Sequence, residues 1–181
     1  MRCVLPFLLI GSSLIVEGRT QRKTASKHTP TTVLSLQSQS AGAISVAFVS
    51  APDGAALTGG ASGQRTLDLG TTSYGGGTRT ANVQMQKFPG RFVVSTKFGL
   101  SIQDGEQHFT SATVLAALAF PDPAYTFRLD GVKLEPVPQM VQGQAKIGTT
   151  FQHRLEIEVP SSITEKNAQV HNAIIFQVIP N

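Results

Sequence analysis

Polar and apolar residues alternate along much of the chain, and the alternation is clearest over residues 91–103. Phe92 and Phe98 lie on the apolar parity of this stretch, whereas Ser95 and Lys97 lie on the polar one. Because successive side chains of a strand point to opposite faces, this period of two predicts a long β-strand with one buried and one wet face. The stretch contains no proline, so we place it inside a sheet rather than at an edge.

Shorter segments of the same alternation follow one another, separated by turn residues. Asp130-Gly131 lies between alternating apolar residues and predicts a type I′ hairpin. Leu115 and Ala117 would also suit a helical turn, but the proline-containing stop at 121–123 favours a strand there. The further predicted strands lie around residues 44–48, 67–69, 83–85, 112–120, 125–129, 132–134, 155–159 and 174–178. About nine short strands without a long helical pattern predict an all-β fold, an antiparallel β-sandwich.

The first 18 residues have the pattern of a secretory signal peptide. A basic start is followed by the apolar block Val4–Ile10 and by permitted residues at Val16 and Gly18, which predicts cleavage after Gly18. A membrane anchor is the alternative, but the apolar run is short and is interrupted by Gly11-Ser12-Ser13. Cys3 is the only cysteine, so the mature chain is predicted to contain no disulfide. Because the candidate membrane anchor lies within the predicted signal peptide, the mature chain is also predicted to contain no transmembrane segment.

Residues 19–40 are rich in Ser, Thr and Gln, and Val33, Leu34 and Leu36 are their only sizeable apolar residues. This composition predicts a flexible basic leader, followed by a single β-sandwich domain over residues 41–181. A solvated tail and a cationic tether to an anionic envelope are the two alternatives for the leader, and the tail is favoured. Leu34 and Leu36 share a parity and are candidate interaction residues.

Positive charge is concentrated in the same leader. Of the 14 Lys and Arg residues that follow position 18, four lie between Arg19 and Lys27, and the other ten are matched by ten Asp and Glu residues. A nucleic-acid-binding domain needs a basic face on its folded part. The charge distribution therefore predicts no nucleic-acid partner.

The four histidines are not spaced as a metal site. Neither His-x-His nor His-x-x-x-His occurs, and His153 and His171 would meet only if their strands paired. Surface positions at strand ends are the favoured interpretation of these residues. The chain also contains no Gly-x-Ser-x-Gly elbow and no phosphate-binding loop, so we predict no catalytic residue, no cofactor and no metal site.

Acidic and aromatic residues leave two weaker alternatives open. Asp104 with Glu106, or Asp122, could contribute to a calcium site in a loop, although an acid beside glycine also suits a simple turn. Tyr74 lies among Gly and Ser residues and could serve a sugar-binding face, in a chain without Trp.

Glu156 and Glu158 project from one face of a predicted strand. Paired carboxylates can act as general acid and base in a cleft. Arg154 shares their parity, so we interpret the set as a solvated face with cross-strand partners.

The order of these motifs resembles a known group of proteins. Three features carry the resemblance: Leu67-Asp68-Leu69-Gly70 before a Gly-rich loop, the long FVVSTKFGLSI strand, and the closing pair RLEIEV and NAIIFQVIPN. Together they resemble the bacterial exported β-sandwich proteins of the spore coat protein U and pilin-like (fimbrial subunit) type. The resemblance covers most of residues 41–181 and implies an immunoglobulin-like sandwich of about 7–9 strands, without catalysis or cofactor.

The resemblance also implies partners and a location. The partners would be other protein subunits, including further copies of the chain, or envelope components, and the location would be the periplasm, cell surface or medium of a bacterium. The chain departs from the group because its mature part has no cysteine and because Leu34 and Leu36 form only a short apolar alternation for a donor strand.

From these features we expect a non-catalytic exported structural or interaction protein, a coat or pilus-like subunit. The alternative is a secreted module that binds carbohydrate or calcium through loops around Tyr74, His108 or Asp122.

Overall fold

The computed structural model describes residues 33–39, 44–59, 63–71, 78–163 and 172–181. The predicted signal peptide and residues 19–32 of the predicted leader lie outside these ranges. These ranges contain twelve strands: β1 Val33–Gln39, β2 Ile44–Val49, β3 Leu57–Thr58, β4 Gln64–Asp68, β5 Gln84–Phe88, β6 Arg91–Asp104, β7 Ser111–Leu118, β8 Thr126–Leu129, β9 Val132–Lys133, β10 Gln139–Lys146, β11 Thr150–Pro160 and β12 Ala173–Pro180. No helix that could cross a membrane occurs in the described ranges.

The strands form two six-stranded sheets whose inner faces share one core. Sheet A has the order β10-β7-β12-β1-β4-β3, and sheet B has the order β2-β6-β11-β8-β9, with β5 also paired to β6. The fully buried rings of Phe98 from sheet B and Phe176 from sheet A have centroids 6.0 Å apart. The predicted all-β sandwich is therefore confirmed, with more strands than predicted because β1, β3 and β10 were not expected.

β6 is an internal strand of sheet B. One edge pairs with β11 over residues 91–101, and the other pairs with β5 over 91–95 and with β2 over 99–104. Between β5 and β2 the edge is closed by the loop after β2, where the Ala55 amide donates to Thr96 Oγ1 at 2.8 Å. Gly54 allows this approach, since a Cβ there would overlap the Lys97 carbonyl oxygen. The prediction that this strand is internal is confirmed.

β1 corrects the predicted boundary between leader and domain. The strand lies between β12, to which it is parallel, and β4, to which it is antiparallel, and the side chains of Leu34 and Leu36 are fully buried. The leader prediction was wrong for these residues because it weighed the total apolar content of the segment. A seven-residue strand with one wet face needs only a few inward positions, and outward Ser35 and Gln37 are compatible with that geometry.

The parallel contact between β1 and β12 makes sheet A mixed, whereas every other pair of named strands is antiparallel. The predicted type I′ hairpin is present between β8 and β9, with positive φ of 51° at Asp130 and 84° at Gly131. Such a turn needs positive φ at both central positions. The chain over residues 111–118 is strand β7 rather than a helical turn.

Candidate functional site

A polar depression of about 260 Å³ lies on the outer face of sheet B, beside the point where the loop after β2 meets β6. Its lining residues are Asp53, Asn82, Gln84, Ser95, Thr96, Lys97 and Arg154. Asn82 has a positive φ of 62°, and its Nδ2 donates to the Gly54 carbonyl at 3.2 Å. Two loops that are distant in sequence are thereby joined at the rim of this depression.

The charges of the depression are held in ion pairs. Lys97 Nζ lies 2.5 Å from Asp53 Oδ2, and Arg154 Nε lies 3.0 Å from Glu156 Oε1. The hydrogen bond from Lys97 holds the pKa of the Asp53 carboxyl below its usual value. A carboxylate with a lowered pKa is a weak base near neutral pH. These charged residues are therefore better suited to form solvent-exposed ion pairs than to transfer a proton.

A second depression of about 440 Å³ lies between the end of β7 and the β9 region. Its lining includes the apolar residues Leu118, Pro121 and Tyr125 and the charged residues Asp122, Lys133 and Glu135. Burial, and to a lesser extent the Asp122 carboxylate, raises the pKa of the Tyr125 hydroxyl. An apolar wall with a few polar groups at its rim is the general form of a small-molecule site.

Asp122, a sequence candidate for calcium binding, is positioned by its own loop. Its Oδ1 accepts hydrogen bonds from the amides of Ala124 at 3.0 Å and Tyr125 at 3.1 Å. These contacts form an Asx turn, in which the carboxylate satisfies backbone donors. Within the described ranges, no group of three or more His, Cys, Asp or Glu side chains could hold a metal ion.

Asp104, the other calcium candidate, also closes a turn. Its two carboxylate oxygens accept backbone hydrogen bonds from Glu106 at 2.9 Å, His108 at 2.7 Å and Phe109 at 2.9 Å. These bonds, with that from Phe109 the largest, lower the pKa of the carboxyl. His108 Nδ1 in turn lies 3.2 Å from Glu106 Oε2. The structure thus favours the turn interpretation of this segment.

His153 is buried and pairs with the exposed carboxylate of Asp130, and the sequence prediction missed this pair. The side chain is 2% exposed, and its Nδ1 lies 2.6 Å from Asp130 Oδ2. Asp130 Oδ1 accepts the Arg154 amide at 2.7 Å, so the carboxylate ties the β8–β9 turn to β11. The prediction of a surface position was wrong because His153 shares the inward parity of Leu155 and Ile157. Extending the alternation of β11 backwards by two residues would have found it.

The His153 imidazole faces the core. Its ring centroid lies 6.1 Å from that of Phe98, and its Nε2 is buried without a hydrogen-bond partner among the described residues. Neither His153 nor Asp130 lines either depression. We therefore interpret the pair as an anchor of the β8–β9 turn. A catalytic base would need to reach the proton that it abstracts.

The remaining sequence candidates fall into three groups. Glu158 forms a cross-strand ion pair with Arg91 at 3.4 Å, which agrees with the predicted solvated face of β11. Leu34 and Leu36 are core residues of β1. Tyr74 and His171 lie outside the described residues.

The chain matches no protein-family model, no curated protein and no solved structure. The resemblance to exported coat and pilin-like proteins therefore stays a prediction, and the function is argued from the chain's own residues.

Proposed function

We propose that the chain is a non-catalytic structural or interaction protein, exported to a bacterial surface or envelope as a coat- or pilus-like subunit. One observation carries the proposal: the side chains best suited by their chemistry to catalysis or metal binding form contacts that stabilise the fold. Asp104 closes a turn through three amides, and Asp130 joins His153 to a hairpin. Glu158 is paired across strands with Arg91. A scaffold of this kind supports interaction through surfaces rather than chemistry in a cleft.

The proposed subunit is complete in itself. Leu34 and Leu36 fill the inner face of their own sheet between β12 and β4. Donating them to a neighbour would remove two fully buried leucines and open both adjacent strand edges. We therefore propose assembly through surfaces of folded subunits, without exchange of this strand.

Export is tested by following the precursor in a bacterial host. The expected result is a cleaved chain outside the cytoplasm whose intact mass corresponds to a start at Arg19. A Leu8→Arg/Leu9→Arg variant should leave the uncleaved chain in the cytoplasm, because charges in the apolar region block a signal peptide. Ser12→Ala serves as the matched control. Wild-type precursor that remains whole in the cytoplasm would overturn the proposal.

Ligand binding is the second candidate function, and the 440 Å³ depression beside Tyr125 favours it. Its lining combines apolar and charged residues, which would suit an uncharged sugar better than a metal ion. A glycan array should then show binding that is lost in Thr126→Arg, which would fill the depression, and retained in Thr113→Arg on the opposite sheet. An array without signal would remove this candidate.

A further inference from the structure

The outward side chains of β10, β7, β12, β1 and β4, here called the sheet A outer face, form a surface that is charged only at two corners and is apolar over part of β10, β7 and β12. Met140 of β10 stands opposite Leu115 of β7, and Leu115 stands opposite Gln177 of β12. Ile175 and Ile179 flank Gln177 on the same face. Because diagonal neighbours on one face lie about 7–8 Å apart, Met140, Leu115, Ile175 and Ile179 form one contiguous apolar patch.

This patch does not serve the core. Ile179 is 50% exposed and Met140 is 63% exposed. Leu115 and Ile175 are half-buried, and in the described part of the chain neither belongs to the core cluster nor packs against it. Contiguous exposed apolar residues with a polar border are typical of interaction sites.

The border of the patch is polar but nearly uncharged. Gln177 donates to Gln39 at 2.8 Å, and Gln64 donates to Ser35 at 3.0 Å. Amides and hydroxyls both donate and accept hydrogen bonds, so such a surface is complementary to a copy of itself. A strongly charged partner would find no matching field on it.

Two ionisable residues stand at the corners of the face. Among the described outward positions of these five strands, Asp68 at the end of β4 and Lys146 at the end of β10 are the only ones. They have opposite charge and occupy diagonally opposite corners. A two-fold axis along the other diagonal would bring Asp68 of each copy next to Lys146 of the other, with the strands of the two copies crossing at a large angle.

The size of the face sets the strength of such a contact. Five strands about 4.8 Å apart, with a length of about eight residues at 3.4 Å each, cover roughly 600 Å² per copy, or about 1,200 Å² for a pair. This area lies at the lower end of specific interfaces, so the contact is large enough for recognition and small enough to be reversible.

We propose that the sheet A outer face is a self-association surface on which a second copy of this chain docks face to face. The inference rests on the proposed function, because it names the partner of the interaction protein. The apolar patch on β10, β7 and β12 and the amide and hydroxyl groups beside it are covered in the contact, and the Asp68–Lys146 pairs set its orientation.

Sedimentation velocity of the protein as purified, from about 1 to about 500 µM, tests the proposal. We expect a monomer–dimer equilibrium with a dissociation constant on the order of 10 to 100 µM. In a Met140→Glu/Ile179→Glu variant four carboxylates would lose water in the contact, and the dimer should weaken at least about tenfold. Both positions are exposed, so circular dichroism and Tm should stay at their wild-type values.

Two further variants locate the contact. Val49→Glu places one carboxylate on an exposed position of sheet B and should leave the dissociation constant unchanged. Lys146→Glu would set like charges against Asp68 and should weaken the dimer about threefold or more, most clearly at low salt.

The inference is overturned by a wild-type chain that stays monomeric over the whole range, or by a dimer that the double variant leaves intact. A chain that is exported and cleaved but monomeric would overturn this inference alone. A chain retained uncleaved in the cytoplasm would overturn the proposed function, whatever its state of association.

Discussion

β6 and β1 are both internal strands with neighbours on each edge, yet their sequences differ greatly. β6 has 14 residues and an inward face of large apolar side chains, whereas β1 has seven residues and buries mainly Leu34 and Leu36. The apolar content of a segment predicts a strand when it is high. It does not exclude one when it is low, because the neighbouring strands provide the edges and the opposite sheet provides the core.

The largest expected effect belongs to β6. Phe98 is fully buried and packs edge-on against Phe176 of the other sheet, with centroids 6.0 Å apart. Phe98→Ala should lower the free energy of unfolding by about 3–5 kcal/mol, through lost burial and a residual cavity. Urea denaturation measures the change, with outward Ser101→Ala as the control. A decrease in the free energy of unfolding below about 1 kcal/mol would mean that Phe98 of β6 is not packed in the core.

β1 provides the next test. Leu36→Ala should cost about 2–4 kcal/mol, because a fully buried leucine is truncated between two sheets. Gln37→Ala, which alters an outward position of the same strand, should change stability by less than about 0.5 kcal/mol. If both substitutions were neutral in urea denaturation, β1 would behave as the leader that its composition predicted, and the comparison with β6 would fail.

Thr96 tests the polar position on the inward face of β6. Its Oγ1 accepts the Ala55 amide at 2.8 Å and donates to the Asn82 carbonyl at 3.3 Å. Thr96→Val keeps the shape but leaves a buried donor unpaired, so we expect a loss of about 1–3 kcal/mol. Thr66→Val on the outward face of β4 is the matched control. Equal stabilities of the two variants would show that the loop after β2 is held by other contacts.

The smallest effect is expected at the last residue of β6. Three backbone amides hydrogen-bond to Asp104, and the pKa of its carboxyl lies below the ordinary value of 3.8. The carboxylate therefore stabilises the fold above that value, and the stabilisation is lost as the pH falls through the lowered pKa. Asp104→Asn should show a shallower fall of Tm between about pH 5 and pH 2 than the wild type. Parallel curves would contradict the assigned role.

The sequence alone predicts the strands in which polar and apolar residues alternate without interruption. Residues 91–104 and 150–160 have long inward faces, and Asp130-Gly131 marks its hairpin through a turn that only special residues adopt. Nine of the twelve strands follow from such local signals. These signals act within one strand or one turn, so they can be recognised before any tertiary contact is known.

The missed strands lack such a signal. β10, Gln139–Lys146, contains register shifts between Met140 and Gln142 and between Gln142 and Ala145, which break the period of two. β3 has only two residues. For β1 the decisive information is the pair of strand edges that receives it, and those edges come from distant parts of the chain.

The candidate site was less predictable than the fold for the same reason. Asp53 and Lys97 are 44 residues apart, and Asp130 and His153 are 23 apart. Each pair forms only when a loop or turn is laid against a strand. The alternation of β11 could have predicted that His153 points into the core. Its partner Asp130, however, could be recognised from the sequence only as a turn residue.

The parallel contact between β1 and β12 has a consequence for how the chain folds. Gln39 and Gln177 meet across 138 residues of sequence, so β1 can pair with β12 only after all of the chain between them has been synthesised. Contacts of such long separation slow folding, because the entropy of loop closure precedes the gain from packing. We therefore expect closure of the sandwich to be a late step, and a chain exported as proposed could complete its core only after β12 had crossed the membrane.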